Sequence, residues 1–179
     1  MGTLRARNRL AAMVRVQDAA VMLCTRHGFE AVTVEDIARA AEVSPASAYR
    51  YFGTKEAMVL WDGPSEETAE ALQAAVAEGP PIVALRDFVR QRARDDASEL
   101  ARQRLIYATP ALVAASWAIL VEHQGVIAKA LGRGIEAEVL ASASLGAIEV
   151  AYDHWQRSGT VGGLDRLLVR AFAPLTKLR

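Results

Sequence analysis

The chain has 179 residues, 52% of them hydrophobic, and its 21 basic and 21 acidic side chains give a formal net charge of zero. This length fits one domain or a small domain joined to a larger one, and the apolar content excludes wholesale disorder. A neutral chain has no overall attraction to nucleic acid, so such binding would need a local concentration of charge.

Basic charge is concentrated at the beginning of the chain. Residues 1–61 carry 8 Lys/Arg against 6 Asp/Glu, whereas residues 62–179 carry 13 against 15. The first 17 residues contain four arginines and no acidic residue. We expect residues 1–8 to form a flexible basic arm, as in a protein of which only one end touches phosphates.

Signals for export, membranes and catalysis are missing from the sequence. Cys24 is the only cysteine, which excludes an intrachain disulfide and a CxxC metal site. The N-terminus has no signal-peptide core, and the longest apolar run, residues 111–121, is shorter than the roughly 20 residues that span a bilayer. No HExxH, GxSxG, P-loop or strand-linked GxGxxG occurs. We therefore predict a soluble cytoplasmic protein with no membrane contact, no enzymatic activity, no metal and no cofactor.

Two short helices joined by a tight turn are predicted near the N-terminus. The first follows a helix over residues 9–27 that Gly28 closes, begins at a Thr33 cap and stops near Glu42. Ser44 caps the second, whose first turn holds a proline and whose inner side holds Ala48, Tyr49 and Phe52. This arrangement is a helix-turn-helix, whose second helix enters the DNA major groove.

The rest of the chain is also predicted to be helical. Apolar periodicity and capping signals predict a helix that begins at residues 54–56 and further helices over residues 68–77, from residue 85, over 111–131, over 135–157 and over 164–175. We interpret the arginine- and acid-rich segment 86–104 as a solvated face with ion pairs, with a second DNA-binding surface as the alternative. The prediction is an all-α protein of about nine helices.

The helix-turn-helix resembles that of TetR-family transcriptional repressors. The shared features are the opening Thr33-Val34-x-Asp36-Ile37-Ala38, the turn Val43-Ser44, the run Tyr49-x-Tyr51-Phe52 and the following Lys55-Glu56. The resemblance implies a helix-turn-helix DNA-binding domain over residues 1–61 and a ligand-binding and dimerisation bundle over residues 62–179. Ala46, Ser47 and Ala48 depart from the usual glycine, threonine and leucine, which leaves the fold unaffected but blurs which bases are read.

The resemblance also implies which residues contact a double-stranded DNA operator. Positions that match DNA-contacting residues of the family are Pro45, Ala46, Ser47, Tyr49 and Arg50, and positions that match phosphate contacts are Thr33, Ser44, Tyr51 and Lys55. Arg50 is the best candidate for base recognition, because arginine can bind guanine O6 and N7 together. The alternatives are a phosphate contact or an ordinary exposed arginine for Arg50, and an inward core tyrosine for Tyr49.

The last two long helices are predicted to form a homodimer interface. The second of them carries two apolar stripes, and a helix that is apolar on two faces must bury both. The stripes are Ala141, Leu145, Ile148, Tyr152 and Trp155 on one face, and Leu140, Ala143, Ala147 and Val150 on the other. A two-fold dimer would bind a near-palindromic site. The alternative is a helix wholly internal to a monomer.

The C-terminal half is similar to mycofactocin-regulator-like members, which resemble binders of acyl-CoA-like ligands. The resemblance rests on Arg102-x-Arg104-Leu105-Ile106, on Thr109-Pro110-Ala111-Leu112 and on the late Trp155. It implies a repressor that a mainly hydrophobic small molecule releases from DNA, although most residues of such a lining also suit a plain core. The candidate lining residues are Phe88, Leu105, Tyr107, Leu112, Ser116, Trp117, Leu120, His123 and Tyr152.

Two other functions remain open. One is an architectural or co-regulatory DNA-binding protein whose C-terminal half docks partner proteins. The other is an apolar-ligand carrier that keeps a vestigial DNA-reading module.

Overall fold

The computed structural model describes residues 4–63 and 65–177, and these residues form ten α-helices and no strand. The helices are α1 (Leu4–His27), α2 (Val34–Ala40), α3 (Pro45–Phe52), α4 (Lys55–Leu60), α5 (Ser65–Ala77), α6 (Pro81–Arg92), α7 (Ala97–Ala108), α8 (Pro110–Leu131), α9 (Ile135–Ser158) and α10 (Leu164–Phe172), followed by a short 3-10 turn (Leu175–Lys177). The predicted all-α class is confirmed. One helix more than the predicted nine is present, because the arginine-rich segment is divided between α6 and α7.

Four helices begin or end elsewhere than predicted. α1 begins at Leu4, since the arginines of the predicted arm are good helix formers even without an apolar stripe. α5 begins at Ser65, a residue type that favours helix starts, and α6 begins at Pro81, which occupies the first turn, where its missing N–H is no loss. α10 ends at Phe172, and the chain continues as the 3-10 turn.

Contacts divide the chain into two compact units. The first contains the described residues up to Trp61 together with Ala101–Ala115, and the second contains Asp62–Leu100 and the described residues from Ser116 onward. The domain boundary inferred from sequence, 1–61 against 62–179, stays a prediction.

The first unit is built on α1, which packs against α2 and α4, while α2 packs against α3. Its fully buried side chains include Val16, Cys24, Ile37 and Met58, one or two from each packed helix. Gln17 of α1 is a buried polar residue, and its side-chain amide donates to the carbonyls of Val59 and Trp61 at the end of α4. Apolar packing and the Gln17 amide thus hold α4 to α1, and Arg15 of α1 holds the end of α2 by donating to the Ala41 carbonyl at 3.1 Å.

The second unit contains two apolar clusters along the inner face of α9. One gathers Leu72, Val76, Leu85, Phe88, Ile127, Ala141 and Phe172, and the other gathers Leu100, Ala151, Trp155, Leu164 and Leu168. Val89 of α6 packs against both clusters. The stripe of α9 from Ala141 to Trp155 therefore faces the interior. This is one of the two apolar stripes that the sequence shows on this helix.

Candidate nucleic-acid interface and effector region

The helix α2 begins with a complete capping box. The Asp36 amide donates to Thr33 Oγ1 at 3.1 Å, and the Thr33 amide donates to Asp36 Oδ2 at 3.2 Å. Arg39 adds an ion pair to the same carboxylate at 2.9 Å. The Thr33 hydroxyl also donates to Asp36 Oδ2, and this bond, followed by those from the Thr33 amide and from Arg39, holds the pKa of Asp36 below its usual range. The cap fixes the start of the motif at the residue that the sequence predicted.

The turn between α2 and α3 is closed by a left-handed residue. Glu42 has a φ of 55°, and the Val43 amide donates to the Ala38 carbonyl at 3.0 Å. This is the hydrogen bond of a Schellman motif, in which a residue with positive φ reverses the chain after a helix. A glutamate at this φ costs about 1–2 kcal/mol in backbone strain. The positive φ turns the chain from α2 towards α3.

The helix α3 is capped and its outer face is polar. Ser44 Oγ accepts from the Ser47 amide at 3.2 Å, and Arg50 Nη2 donates to Ser47 Oγ at 3.1 Å. Ala48 is fully buried inside the first unit, whereas Tyr49 is 47% exposed and Arg50 is also exposed. The inward position predicted for Tyr49 is therefore wrong, because Ala48 occupies that side of the helix.

Two guanidinium groups lie near the ring of Tyr51. Arg9 Cζ is 5.7 Å from the ring centroid and Arg50 Cζ is 5.3 Å from it. Within the described residues, neither arginine forms an ion pair with a carboxylate. Elsewhere Arg39, Arg86, Arg90, Arg94 and Arg157 are paired with aspartates. The arginine–tyrosine cluster, Arg9, Arg50 and Tyr51, is thus a local positive charge without an acidic partner, as a phosphate contact requires.

Lys55 has structural partners of its own. Its ammonium donates to the carbonyls of Phe29 and Val32 at 2.6 and 3.0 Å and lies 4.1 Å from the Phe29 ring centroid. An ammonium has three donors, so one remains for a phosphate. Lys55 therefore also ties α4 to the loop between α1 and α2, a role of which the sequence shows no sign.

The predicted DNA-contacting residues lie on one short stretch of the first unit. Most are exposed; Ser47, Tyr51 and Lys55 are half-buried. The set that the structure places on α3 or at a neighbouring helix start is Thr33, Ser44, Pro45, Ala46, Ser47, Tyr49, Arg50, Tyr51 and Lys55. No local pattern pointed to Arg9 as a further member, because its proximity to Tyr51 depends on the packing of α1.

The predicted effector-lining residues differ in burial. Phe88 and Leu112 are buried, and Tyr107 and Trp117 are exposed. Leu105, Ser116, Leu120, His123 and Tyr152 are half-buried. The exposed pair suits a surface contact better than the lining of an enclosed pocket, because an enclosed ligand needs side chains that face inward.

Two donors on the inner face of α9 are buried without a hydrogen-bond partner. They are Ser144 Oγ and Trp155 Nε1, and both residues are fully buried. The two residues are about three helical turns apart, so they lie on the same side of the helix. Buried donors are rarely left unsatisfied, and a bound molecule is one way to satisfy them.

His123 of α8 is paired with Asp62, the residue that follows Trp61. His123 Nε2 lies 3.2 Å from Asp62 Oδ2, and the two side chains are 35% and 52% exposed. The hydrogen bond from the imidazole to Asp62 raises the pKa of His123, with a further contribution from the negative charge of Glu122. Local sequence patterns could not reveal this pair, because its members lie far apart in the chain.

The helices α8 and α9 expose a large apolar surface. Trp117 and Val121 of α8 are 66% and 67% exposed, and Ile135, Val139 and Val150 of α9 are 70%, 59% and 54% exposed. α8 is also the one described helix whose length and composition would allow it to cross a membrane, with a mean hydropathy of 1.4. A helix of this kind also suits an interface that a second protein covers.

Models of two known families match most of the chain. Residues 17–60 match the family described as bacterial regulatory proteins, tetR family, and residues 82–178 match the MftR C-terminal domain. The chain is 32% identical over 176 residues to the protein of Mycobacterium tuberculosis named as the mycofactocin biosynthesis transcriptional regulator MftR. The match covers 90% of this chain and 88% of that protein.

Solved structures share the fold at low sequence identity. NalD of Pseudomonas aeruginosa, the secondary repressor of the MexAB-OprM multidrug efflux pump, is 17% identical, with a TM-score of 0.61 over 92% of this chain and 93% of its own. Thermus thermophilus FadR, a TetR-family repressor in complex with lauroyl-CoA, is 21% identical, with a TM-score of 0.59 over 93% and 95%. The resemblance found in both halves of the sequence is confirmed, and the chain belongs to the TetR family of bacterial transcriptional regulators, with a C-terminal domain of the mycofactocin-regulator type.

Proposed function

We propose that this protein is a ligand-responsive repressor that binds a near-palindromic operator as a homodimer and leaves it when a mainly hydrophobic, acyl-CoA-like molecule binds. The observation that carries the DNA-binding part is the doubly capped helix-turn-helix with Tyr49 and Arg50 exposed on α3. In this proposal the protein acts in the cytoplasm and has no enzymatic activity.

The DNA contacts of the proposal divide into two kinds. Arg50 and Tyr49 read bases, while the Arg9 guanidinium and the phosphate-contact set hold the register of α3 in the major groove. Ser44 and Thr33 lie at helix starts, where backbone N–H groups attract phosphate. The arginine–tyrosine cluster supports contact with DNA, because its guanidinium groups have no acidic partner among the described residues.

The homodimer part rests on the exposed apolar residues of α8 and α9. A two-fold interface is self-complementary, so the same residues of two copies can cover one another. An exposed tryptophan beside exposed aliphatic residues is typical of an interface core. The small residues Ala143 and Gly146 of α9 are half-buried and would let a second helix approach closely.

The effector part rests on the second unit. Its inner face combines apolar clusters with the two unpartnered donors, Ser144 Oγ and Trp155 Nε1, which suits an apolar molecule with hydrogen-bond acceptors. The relative from Thermus thermophilus was solved with lauroyl-CoA bound, which supports an acyl-CoA thioester as the first compound to try.

The proposal is tested with DNA from upstream of the protein's own gene. Fluorescence anisotropy should show saturable binding that weakens as salt rises, and dodecanoyl-CoA should reverse it while free coenzyme A should not. Binding that no acyl-CoA or fatty acid reverses, together with co-purification of a second protein, would favour the co-regulatory alternative. Ligand binding without saturable DNA binding would favour the apolar-ligand carrier.

A further inference from the structure

Asp62, the partner of His123, directly follows Trp61 of the first unit. Asp62 is joined by one peptide bond to Trp61, whose carbonyl accepts from the buried Gln17 amide. The Trp61 ring meets the Phe52 ring edge-on, with centroids 5.9 Å apart. Phe52 is the last residue of α3. Trp61 is therefore bonded covalently to Asp62 on one side and packed against the last residue of α3 on the other.

The His123 side of the pair lies at the end of a partly apolar row on α8. Ser116, Ile119, Leu120 and His123 follow one another at helical spacing and are all half-buried. The row is apolar apart from its serine and ends in an imidazole that already holds a carboxylate. An amphiphile that lay along this row would bring its polar end to His123 Nε2, the atom that Asp62 contacts.

We infer that His123 is the recognition point for the acidic end group of the effector, and that this group displaces the Asp62 carboxylate and so frees Asp62, the residue that follows Trp61. The inference rests on the proposed function and adds to it the chemistry of the effector's head and the contact that is exchanged. The exchange conserves charge, since one anion replaces another on the same imidazolium. The acidic group and the Asp62 carboxylate cannot both bind His123 Nε2, because this nitrogen carries a single hydrogen.

Competition of this kind makes ligand affinity depend on Asp62. Removing the competing carboxylate should strengthen the binding of an acidic amphiphile, and removing the imidazole should weaken it. A coupling between two sites commonly changes affinity by about 5-fold or more. A neutral amphiphile of the same length should be indifferent to both changes.

Titration calorimetry with dodecanoate and with dodecanol tests this on the full chain. We expect dodecanoate to bind Asp62→Asn about 5-fold or more tightly than the wild type and His123→Gln about 5-fold or more weakly. Glu78→Gln is the control, because it removes an exposed carboxylate elsewhere in the second unit that is outside the pair. Far-ultraviolet circular dichroism confirms that each variant keeps its helices.

The same variants are then compared for release of the upstream DNA by dodecanoate. Release at lower dodecanoate concentration by Asp62→Asn, and at higher concentration by His123→Gln, supports the exchange. Equal dodecanoate affinity in all four proteins overturns it while leaving the proposed function intact. If neither amphiphile binds any of them, this inference fails, whereas the effector part of the proposed function fails only if dodecanoyl-CoA also leaves the wild type on DNA.

Discussion

At the scale of single residues, the reading surface depends on contacts that bring distant positions together. Arg9 of α1 and Arg50 of α3 lie near the same tyrosine ring, although they are far apart in the sequence. The contact positions on α3 follow from a local motif in the sequence, and they stay a prediction. Arg9 and the carbonyl partners of Lys55 were not predictable, because they depend on how α1 packs.

Replacing Arg50 should affect both affinity and base preference. In Arg50→Ala we expect one base pair of the operator to lose about 1–3 kcal/mol of discrimination, since a bidentate contact to guanine is lost. Competition binding against operators changed at each position measures this. Arg39→Ala is the control, because Arg39 is also exposed but lies on α2 and is paired with Asp36. Uniform weakening without altered preference would assign Arg50 to phosphate.

Replacing Arg9 should affect affinity alone. In Arg9→Gln we expect weaker binding to every sequence and a salt slope smaller by about one, since one phosphate contact is lost. Binding titrations over a range of salt concentrations measure the slope. Arg26→Gln, an exposed arginine at the other end of the same helix, should leave the slope unchanged. An unaltered slope in Arg9→Gln would remove Arg9 from the interface.

At the scale of elements, the structure shows helix ends that local patterns alone do not specify. The starts of α2, α3 and α8 were predictable, because Thr33, Ser44 and Pro110 are local signals. The break between α6 and α7 was missed because its residues are arginines and aspartates that also suit a continuous solvated helix. Its two aspartates act as caps. Asp96 accepts from the Glu99 amide at 2.8 Å at the start of α7, and Asp95 accepts from an amide at the start of α10.

Asp95 caps α10 from a distant part of the sequence. Its carboxylate accepts from the amides of Gly162 and Leu164 at 2.7 and 2.9 Å, while the local cap position holds a glycine that offers no side chain. We expect Asp95→Ala to lower the free energy of unfolding by about 0.5–2 kcal/mol, since two helix-start donors lose their acceptor. Denaturant titration measures the change.

A suitable control for that experiment is Asp153→Ala. Asp153 is paired with Arg157 one turn away in α9 on the surface, and such pairs contribute about 0.3–0.5 kcal/mol. Equal losses in the two variants would mean that Asp95 is no more than a surface charge.

Stability should also depend on pH through His123. Its pKa is raised in the folded state by the hydrogen bond to Asp62, with Glu122 as the other nearby negative group. The pair therefore stabilises fully below the ordinary pKa of 6.5, and its contribution is lost as pH rises through the raised value. We expect the stability difference between wild type and His123→Gln to shrink in thermal melts as the pH rises above 6.5. A difference that stays constant would contradict the pairing.

At the scale of the whole molecule, the unpaired surface of α8 and α9 is the main structural argument for a dimer. One stripe of α9 is interior, as the sequence pattern predicted, and Val150 of the other stripe is exposed. The pattern could not show that Trp117 and Val121 of α8 are exposed as well, because an apolar helix looks the same in a core and in an interface.

A charge placed on this surface should separate the copies. We expect the wild type to sediment as a dimer at micromolar concentration and Val121→Glu as a monomer, since a two-fold interface would bury the added carboxylate twice. Val161→Glu changes an exposed valine between α9 and α10 and should stay dimeric. A monomeric wild type would rule the interface out.

In the proposed homodimer, two copies of one helix-turn-helix read a two-fold DNA site. Selection from a random double-stranded DNA library with the wild-type protein, followed by sequencing, tests it most directly. We predict two inverted half-sites with centres one helical turn of DNA apart, or a multiple of one turn, and loss of the preference at one base pair of each half-site in Arg50→Ala. Enrichment of a single half-site without an inverted copy, or of no sequence at all, would contradict it.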